Sequence, residues 1–260
     1  MNILAYFAHP DDETMLCGGT LALLARQGAQ ITLLCATRGE GGETGEPPLC
    51  AREQLGALRE AELRCAAAAL GLVRVDLLDY VDPTVGPDNT LFAFCEDEET
   101  LARQVADEYL RVEAQVLFSH GSNGEYGHPA HRLCHRSALR ALELLRAAGS
   151  DPLFYTAQAA YPDHPLPLLM NADDPANLLL DCTPVLAHKT QAALCHRTQH
   201  ALFVRRATQD LGRPVSVPEV ILSHESLHRV YPPAAAGEPL HDPLADLLRA
   251  SGFAQDLPPA

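Results

Sequence analysis

Four chemically able residues fall in one short stretch, Ala8-His9-Pro10-Asp11-Asp12-Glu13, and two histidines stand three apart in Gly127-His128-Pro129-Ala130-His131. A dinucleotide loop would need a Gly-rich turn that presents backbone N–H groups to a pyrophosphate. Here the turn offers an imidazole and three carboxylates, which repel phosphate unless a cation lies between. The first stretch therefore asks for a metal ion. Catalytic zinc takes three His or carboxylate ligands and leaves one position for water. His9 and Asp12 can reach one point from a single turn into a helix. If the second stretch starts a helix, His128 and His131 share a face, so that one can bind metal while the other meets substrate. Each stretch also has an ordinary reading. Asp11 or Asp12 can cap a helix or pair with its dipole, and two histidines can lie on a surface. It is the pairing of the two stretches, each at a strand's carboxyl end, that favours a metal site.

The surrounding pattern supplies those strand ends. Short apolar runs at Ile3–Ala8, Ile31–Ala36, Val75–Asp79, Val116–His120, Leu153–Ala157 and Leu178–Cys182 read as strands. Helical patterns cover Thr14–Gln27, Gln54–Leu70, Glu98–Glu113, His131–Ala147 and Thr183–Gln199. The alternation predicts an α/β, Rossmann-like fold, with a mostly parallel sheet flanked by helices. In such sheets ligands bind beyond the carboxyl ends of the strands, where both stretches lie. No internal repeat or linker divides the chain, so residues 1–260 are expected to form a single domain. The last 70 or so residues are expected to add irregular structure around the site. They include the Pro-rich run Tyr231–Pro239 and a frayed end at Leu257–Ala260.

Composition narrows the partners. The formal net charge is −15, which repels phosphate backbones and anionic lipids, so neither nucleic acid nor membrane is expected. A homo-oligomer is allowed. No run of about 18 apolar residues exists to span a bilayer, and no secretory leader is expected. Among the eight cysteines there is no C-x-x-C pair. Several lie in apolar runs, where cysteine behaves as a small hydrophobe. Free thiols and a cytoplasmic location are the expectation.

Ala8–Glu13 and Gly127–His131 resemble the two hallmark motifs of the PIG-L/LmbE-like deacetylases. Thr37–Glu40, Gln54–Leu63 and Lys189–Gln199 resemble that family too, so the resemblance covers roughly residues 2–200. It is strongest toward the deacetylases of mycothiol and bacillithiol biosynthesis, which act on a small-molecule N-acetyl amino sugar. The resemblance implies His9, Asp12 and His131 as ligands of zinc, with ferrous iron the other candidate. It implies Asp11 as the general base and a protonated His128 as the group that stabilises the oxyanion or protonates the amine. It further implies Arg59 and Tyr126 as substrate contacts. Ala130 departs from the family, which usually carries Asp there, and this puts the orientation of the neighbouring histidines in question. His120 is expected to be structural or at the surface, and the glutamates of Glu40–Glu46 to lie in a solvated loop, with lining of the pocket as the other reading. Arg52 is open between a contact to an acidic aglycone and a plain surface position.

Two rivals share these residues. Two histidines and a carboxylate also form the triad of non-haem iron oxygenases, which usually sit on β-barrels. A non-catalytic metal-binding module is the other rival. The aglycone stays open among inositol, malate, a thiol conjugate and a chitooligosaccharide.

Overall fold

Residues 2–157 lay down βα units in turn: β1 (Asn2–Phe7), α1 (Asp12–Arg26), β2 (Gln30–Thr37), α2 (Leu55–Leu70), β3 (Arg74–Tyr80), α3 (Glu98–Arg111), β4 (Val116–Ser119), α4 (Pro129–Ala147) and β5 (Leu153–Ala157). The structure is a computed structural model that describes residues 1–235 and 238–257. Parts of the Pro-rich run Tyr231–Pro239 and of the expected frayed end Leu257–Ala260 lie outside the described residues.

Strands β1 to β5 are mutually parallel in the order β3-β2-β1-β4-β5. The order reverses at β1, whose neighbours are β2 and β4. A reversal of this kind opens a crevice outside the carboxyl ends of the two diverging strands. The turns after β1 and β4 both open into it, and they carry the two metal-like stretches.

Alternation along β1 explains the layers. Ile3, Ala5 and Phe7 face one core with residues of α1 and α2, while Leu4, Tyr6 and Ala8 face another with residues of α3 and α4. Every one of these six side chains is fully buried. Burial on both faces is what makes the strand read as a continuous apolar run.

The last third is more regular than expected. After the short strands β6 (Ala159–Ala160) and β7 (Asn171–Pro175) come β8 (Leu178–Asp181), α5 (Leu186–Cys195), α6 (His200–Leu211), α7 (Val217–Val220), β9 (His224–Tyr231), α8 (Pro243–Ala250) and β10 (Ala254–Asp256). β9 pairs antiparallel with both β5 and β8, and β10 adds antiparallel to β8. One eight-stranded mixed sheet therefore runs from residue 2 to residue 256.

A buried ion pair ties this third to α1. The helix departs from helical angles at Cys17, which frees the amides that follow. Glu225 of β9 accepts from Gly19 N at 2.7 Å and from Thr20 N at 2.6 Å, and Lys189 Nζ of α5 neutralises it at 2.7 Å. A carboxylate on free helical amides is the favourable end of the helix dipole. The expectation of free thiols needs one correction: Cys65 of α2 and Cys195 at the end of α5 form a disulfide across 130 residues. The other six cysteines are free. No helix among the described residues is long and apolar enough to cross a membrane.

Candidate active site

The cleft at the strand reversal has a volume of about 600 Å³ and is lined by His9, Asp11, Asp12, Asp82, Tyr126 and His128 among others. His131 lies just beneath, its ring stacked on that of His128 with centroids 4.5 Å apart. The fold thus brings together the residues singled out in both stretches.

At the β1 turn, Asp12 Oδ2 accepts from the His9 backbone N–H at 2.8 Å, which leaves Oδ1 to face His131 Nε2 at 3.3 Å. His131 Nδ1 donates to Glu125 at 2.7 Å, which leaves Nε2 as the ring atom toward Asp12, where a cation would take the place of a proton. The Nε2 atoms of His9 and His131 are buried without a hydrogen-bond partner. Two orphaned imidazole nitrogens beside a free carboxylate oxygen are the donor set a divalent cation takes, and the residues fit such an ion.

Two overlapping groups of donor atoms lie within 4.8 Å of one another, His9 with His128 and His131, and Asp12 with His120 and His131. Hydrogen bonding separates them. His120 Nε2 accepts from Ala8 N at 3.1 Å, so that lone pair is already used. The remaining nitrogen of His120 faces Glu125 at 3.1 Å. His120 is therefore a buried brace rather than a ligand. Of the two expectations for it, structural or surface, the fold selects the structural one.

His128 accepts from Ala130 N at Nδ1, at 3.2 Å, which puts the ring proton on Nε2. Burial, followed by the neighbouring His131 and His9, pushes its pKa down to about 3. The expected protonated His128 is thus corrected to a neutral Nε2–H donor. His131 keeps its carboxylate partner through Glu125, which lies six positions earlier in the chain.

Asp11 has φ of 118°, a conformation that non-glycine residues seldom adopt. Its carboxylate turns toward Arg59, with Nη2 3.2 Å from Oδ2. Burial lifts its pKa, Arg59 draws it back, and the balance stands at about 6. The group is a carboxylate at neutral pH yet basic enough to take a proton.

Arg59, expected to contact substrate, also has partners within the fold. It borders the cleft but is only 3% exposed. It donates to Asp11, to the Pro10 carbonyl and, at 2.8 Å, to the Gly39 carbonyl. These contacts hold the β1 turn. Gly39 has φ of 66°, and a Cβ there would lie 2.1 Å from Arg59 Nη1, so only glycine admits the guanidinium. Tyr126, half exposed at 54%, lies edge-on to His128 at the mouth of the cleft.

Several neighbours of these groups were not singled out as site residues. Asp82, just past β3, has Oδ1 3.3 Å from His9 Nε2. Its signal was a carboxylate directly after a parallel strand. Glu125 had none beyond its place in a Gly-rich loop, since its partners are set by the fold. Glu43 and Arg52 border the cleft, which favours the pocket-lining reading of the Glu40–Glu46 stretch over the solvated loop.

Fold and cleft define an α/β enzyme with a metal-type site at the strand reversal, and comparison with known proteins gives the family. Residues 4–142 match the PIG-L family, described as GlcNAc-PI de-N-acetylase. The chain is 29% identical to 1D-myo-inositol 2-acetamido-2-deoxy-alpha-D-glucopyranoside deacetylase 2 of Catenulispora acidiphila, over 95% of this chain and 94% of that protein. It is 31% identical to the deacetylase of the same description from Salinispora arenicola, over 76% of this chain and 75% of that one. Against the Geodermatophilus obscurus protein the identity is 38%, over 58% of this chain and 55% of that protein.

Two solved structures frame the fold. The 4-carboxy-2-hydroxymuconate hydratase of Pseudomonas putida superposes with TM-score 0.61 and 25% identity, over 92% of this chain and 99% of that one. The N,N'-diacetylchitobiose deacetylase of Pyrococcus horikoshii gives TM-score 0.56 at 17% identity, over 88% of this chain and 83% of that one, and shows the fold alone. The chain belongs to the PIG-L family and is a deacetylase, a hydrolase of amide bonds. The oxygenase rival loses its ground, because the site sits on a mostly parallel α/β sheet and not in a barrel.

Proposed function

We propose that this enzyme removes the acetyl group from an N-acetylglucosamine glycoside of myo-inositol, releasing acetate and the free amino sugar, within low-molecular-weight thiol biosynthesis. The observation that carries the reading is the cleft at the strand reversal. There Asp11 stands beside His9, Asp12 and His131, whose donor atoms are free to hold a cation. The named activity of the relatives supports the substrate. We assign zinc to His9, Asp12 and His131, and we treat residues 1–260 as one catalytic domain, since one sheet joins its two ends.

When bound, zinc would supply Lewis acidity and a water acidic enough to react near neutral pH. Asp11 takes the proton from the attacking water, held for the task by Arg59. Neutral His128 donates its Nε2–H to the oxygen of the acetyl carbonyl as charge builds there. Tyr126 borders the reacting group from the mouth of the cleft. Asp11, once protonated, can return its proton to the leaving amine. We place the enzyme in the cytoplasm, which the six free cysteines suit and the Cys65–Cys195 disulfide does not.

The test is acetate release from a panel of N-acetylglucosaminides with inositol, malate, a thiol conjugate and chitobiose as the second group, with zinc present. The inositol glycoside should give the highest kcat/KM. No acetate from any member would overturn the reading. The likeness to the hydratase favours one other outcome worth scoring, addition of water to an unsaturated carboxylate. A gain of one water by mass without acetate release would reveal it.

A further inference from the structure

The least relaxed backbone in the cleft belongs to Asp11. At φ of 118° and ψ of −28° it lies outside the common basins of a residue with a side chain. Something must hold it there, and the holders are visible. The Asp11 backbone N–H donates to Glu13 Oε2 at 3.0 Å. Glu13 Oε1 accepts from His196 Nε2 at 2.9 Å and also from the Thr14 hydroxyl. Glu13 and His196 are both fully buried, and neither lines the cleft. His196 directly follows Cys195, the last residue of α5, which the disulfide ties to α2. α2 in turn carries Arg59, the cation on the Asp11 carboxylate.

We infer that Glu13 and His196 are positioning residues that lock the backbone of Asp11 in the conformation that aims its carboxylate into the cleft. Neither touches the reacting atoms. Glu13 fixes the amide of Asp11 from below while Arg59 fixes the carboxylate from above. His196 in turn keeps the Glu13 carboxylate from turning away. Without the Glu13 acceptor the turn relaxes toward ordinary angles and carries the carboxylate off line. A displacement of about 1 Å in a reacting group can cost about 100-fold in rate. The inference rests on Asp11 being the base.

A double-mutant cycle on the best substrate of the panel tests it. Glu13→Leu removes the acceptor while keeping an apolar group in the space. It should lower kcat about 100-fold, leave KM within about threefold, and keep metal content unchanged. Glu13→Gln retains an oxygen for the Asp11 amide and should recover at least about tenfold of that loss. In an Asp11→Asn background, Glu13→Leu should cost less than about threefold more, because a group that acts only through the base has nothing left to act on. Independent of activity, exchange of the Asp11 amide hydrogen in the metal-free protein should quicken at least about tenfold in Glu13→Leu.

Equal losses in the two backgrounds overturn the inference, as does a Gln variant no better than Leu or an unchanged amide. If Glu13→Leu does not fold, His196→Asn carries the same cycle with an expected loss of about tenfold. Near-normal kcat in Asp11→Asn alone would instead remove the base assignment, so the two failures are distinguishable.

Discussion

The turn after β1 and the turn after β4 serve the same cleft but are held in different ways. The β4 turn is long and spreads its left-handed angles over Gly124, Glu125 and Gly127, with φ of 65°, 55° and 86°, whereas the 118° of Asp11 lies well outside that basin. Its organising group is Glu125, which accepts from Gly121 N at 3.1 Å and from His131 and binds His120. Three of the hydrogen bonds of Glu125 are local and two go to Asn171, while Ser122 and Asn123 of the same turn bond Asp174 and Asp173, so the turn's distant bracing comes from β7. The β1 turn is short, and a non-glycine residue, Asp11, bears the strained angle. Its braces come from far along the chain: Arg59 lies 48 residues away, and His196 lies 183 residues from the Glu13 it holds. Within the β1 turn itself, a bound cation would gather His9 and Asp12 but not Asp11, so the place of Asp11 must be imposed by the rest of the fold.

That contrast can be broken at several points. The largest effect should come at Asp11. Asp11→Asn keeps the shape but cannot take a proton, and removal of a positioned base costs about 10²–10⁴ in rate. Metal content should stay near one equivalent in that variant, whereas Asp12→Asn should lose metal. Metal analysis alongside kcat checks both, and zinc lost at position 11 but kept at 12 would exchange their roles.

A smaller effect, of a different kind, should come from the β4 turn. Glu125→Gln weakens the acceptor that orients His131, and loss of such a partner typically costs about 10–100-fold in metal affinity. A zinc titration should show this, with kcat largely restored at saturating metal. A kcat that stays low at full occupancy would mean that both turns serve the base, and the contrast would fail.

The smallest effect should be at the mouth of the cleft. Tyr126→Phe removes one hydroxyl from a half-exposed ring. A neutral hydrogen bond is worth about 0.5–1.5 kcal/mol, so kcat/KM should fall roughly 2- to 13-fold. A drop beyond 100-fold would make Tyr126 a principal stabiliser of the transition state and shift that role away from His128.

Much of the site was legible because its parts are close in sequence. His9, Asp11 and Asp12 share one turn, and His128 and His131 share one helix start, so their convergence follows from strand and helix geometry alone. The five parallel strands were legible for a similar reason, since burial on both faces leaves long apolar runs. β9 was not. Its buried positions include Glu225 and Arg229, polar because they pair with Lys189 and with Asp242. Partners that distant erase the apolar alternation by which a strand is recognised.

Types and spacings within a dozen residues therefore determined the metal-like donor set and the family. Tertiary structure alone decided which lone pairs remain free, why His128 is neutral, and what holds Asp11. Each of those depends on a neighbour brought in from another element. Whether a buried group is charged, paired or strained follows from what the fold packs against it, and that information is not local to any stretch of chain.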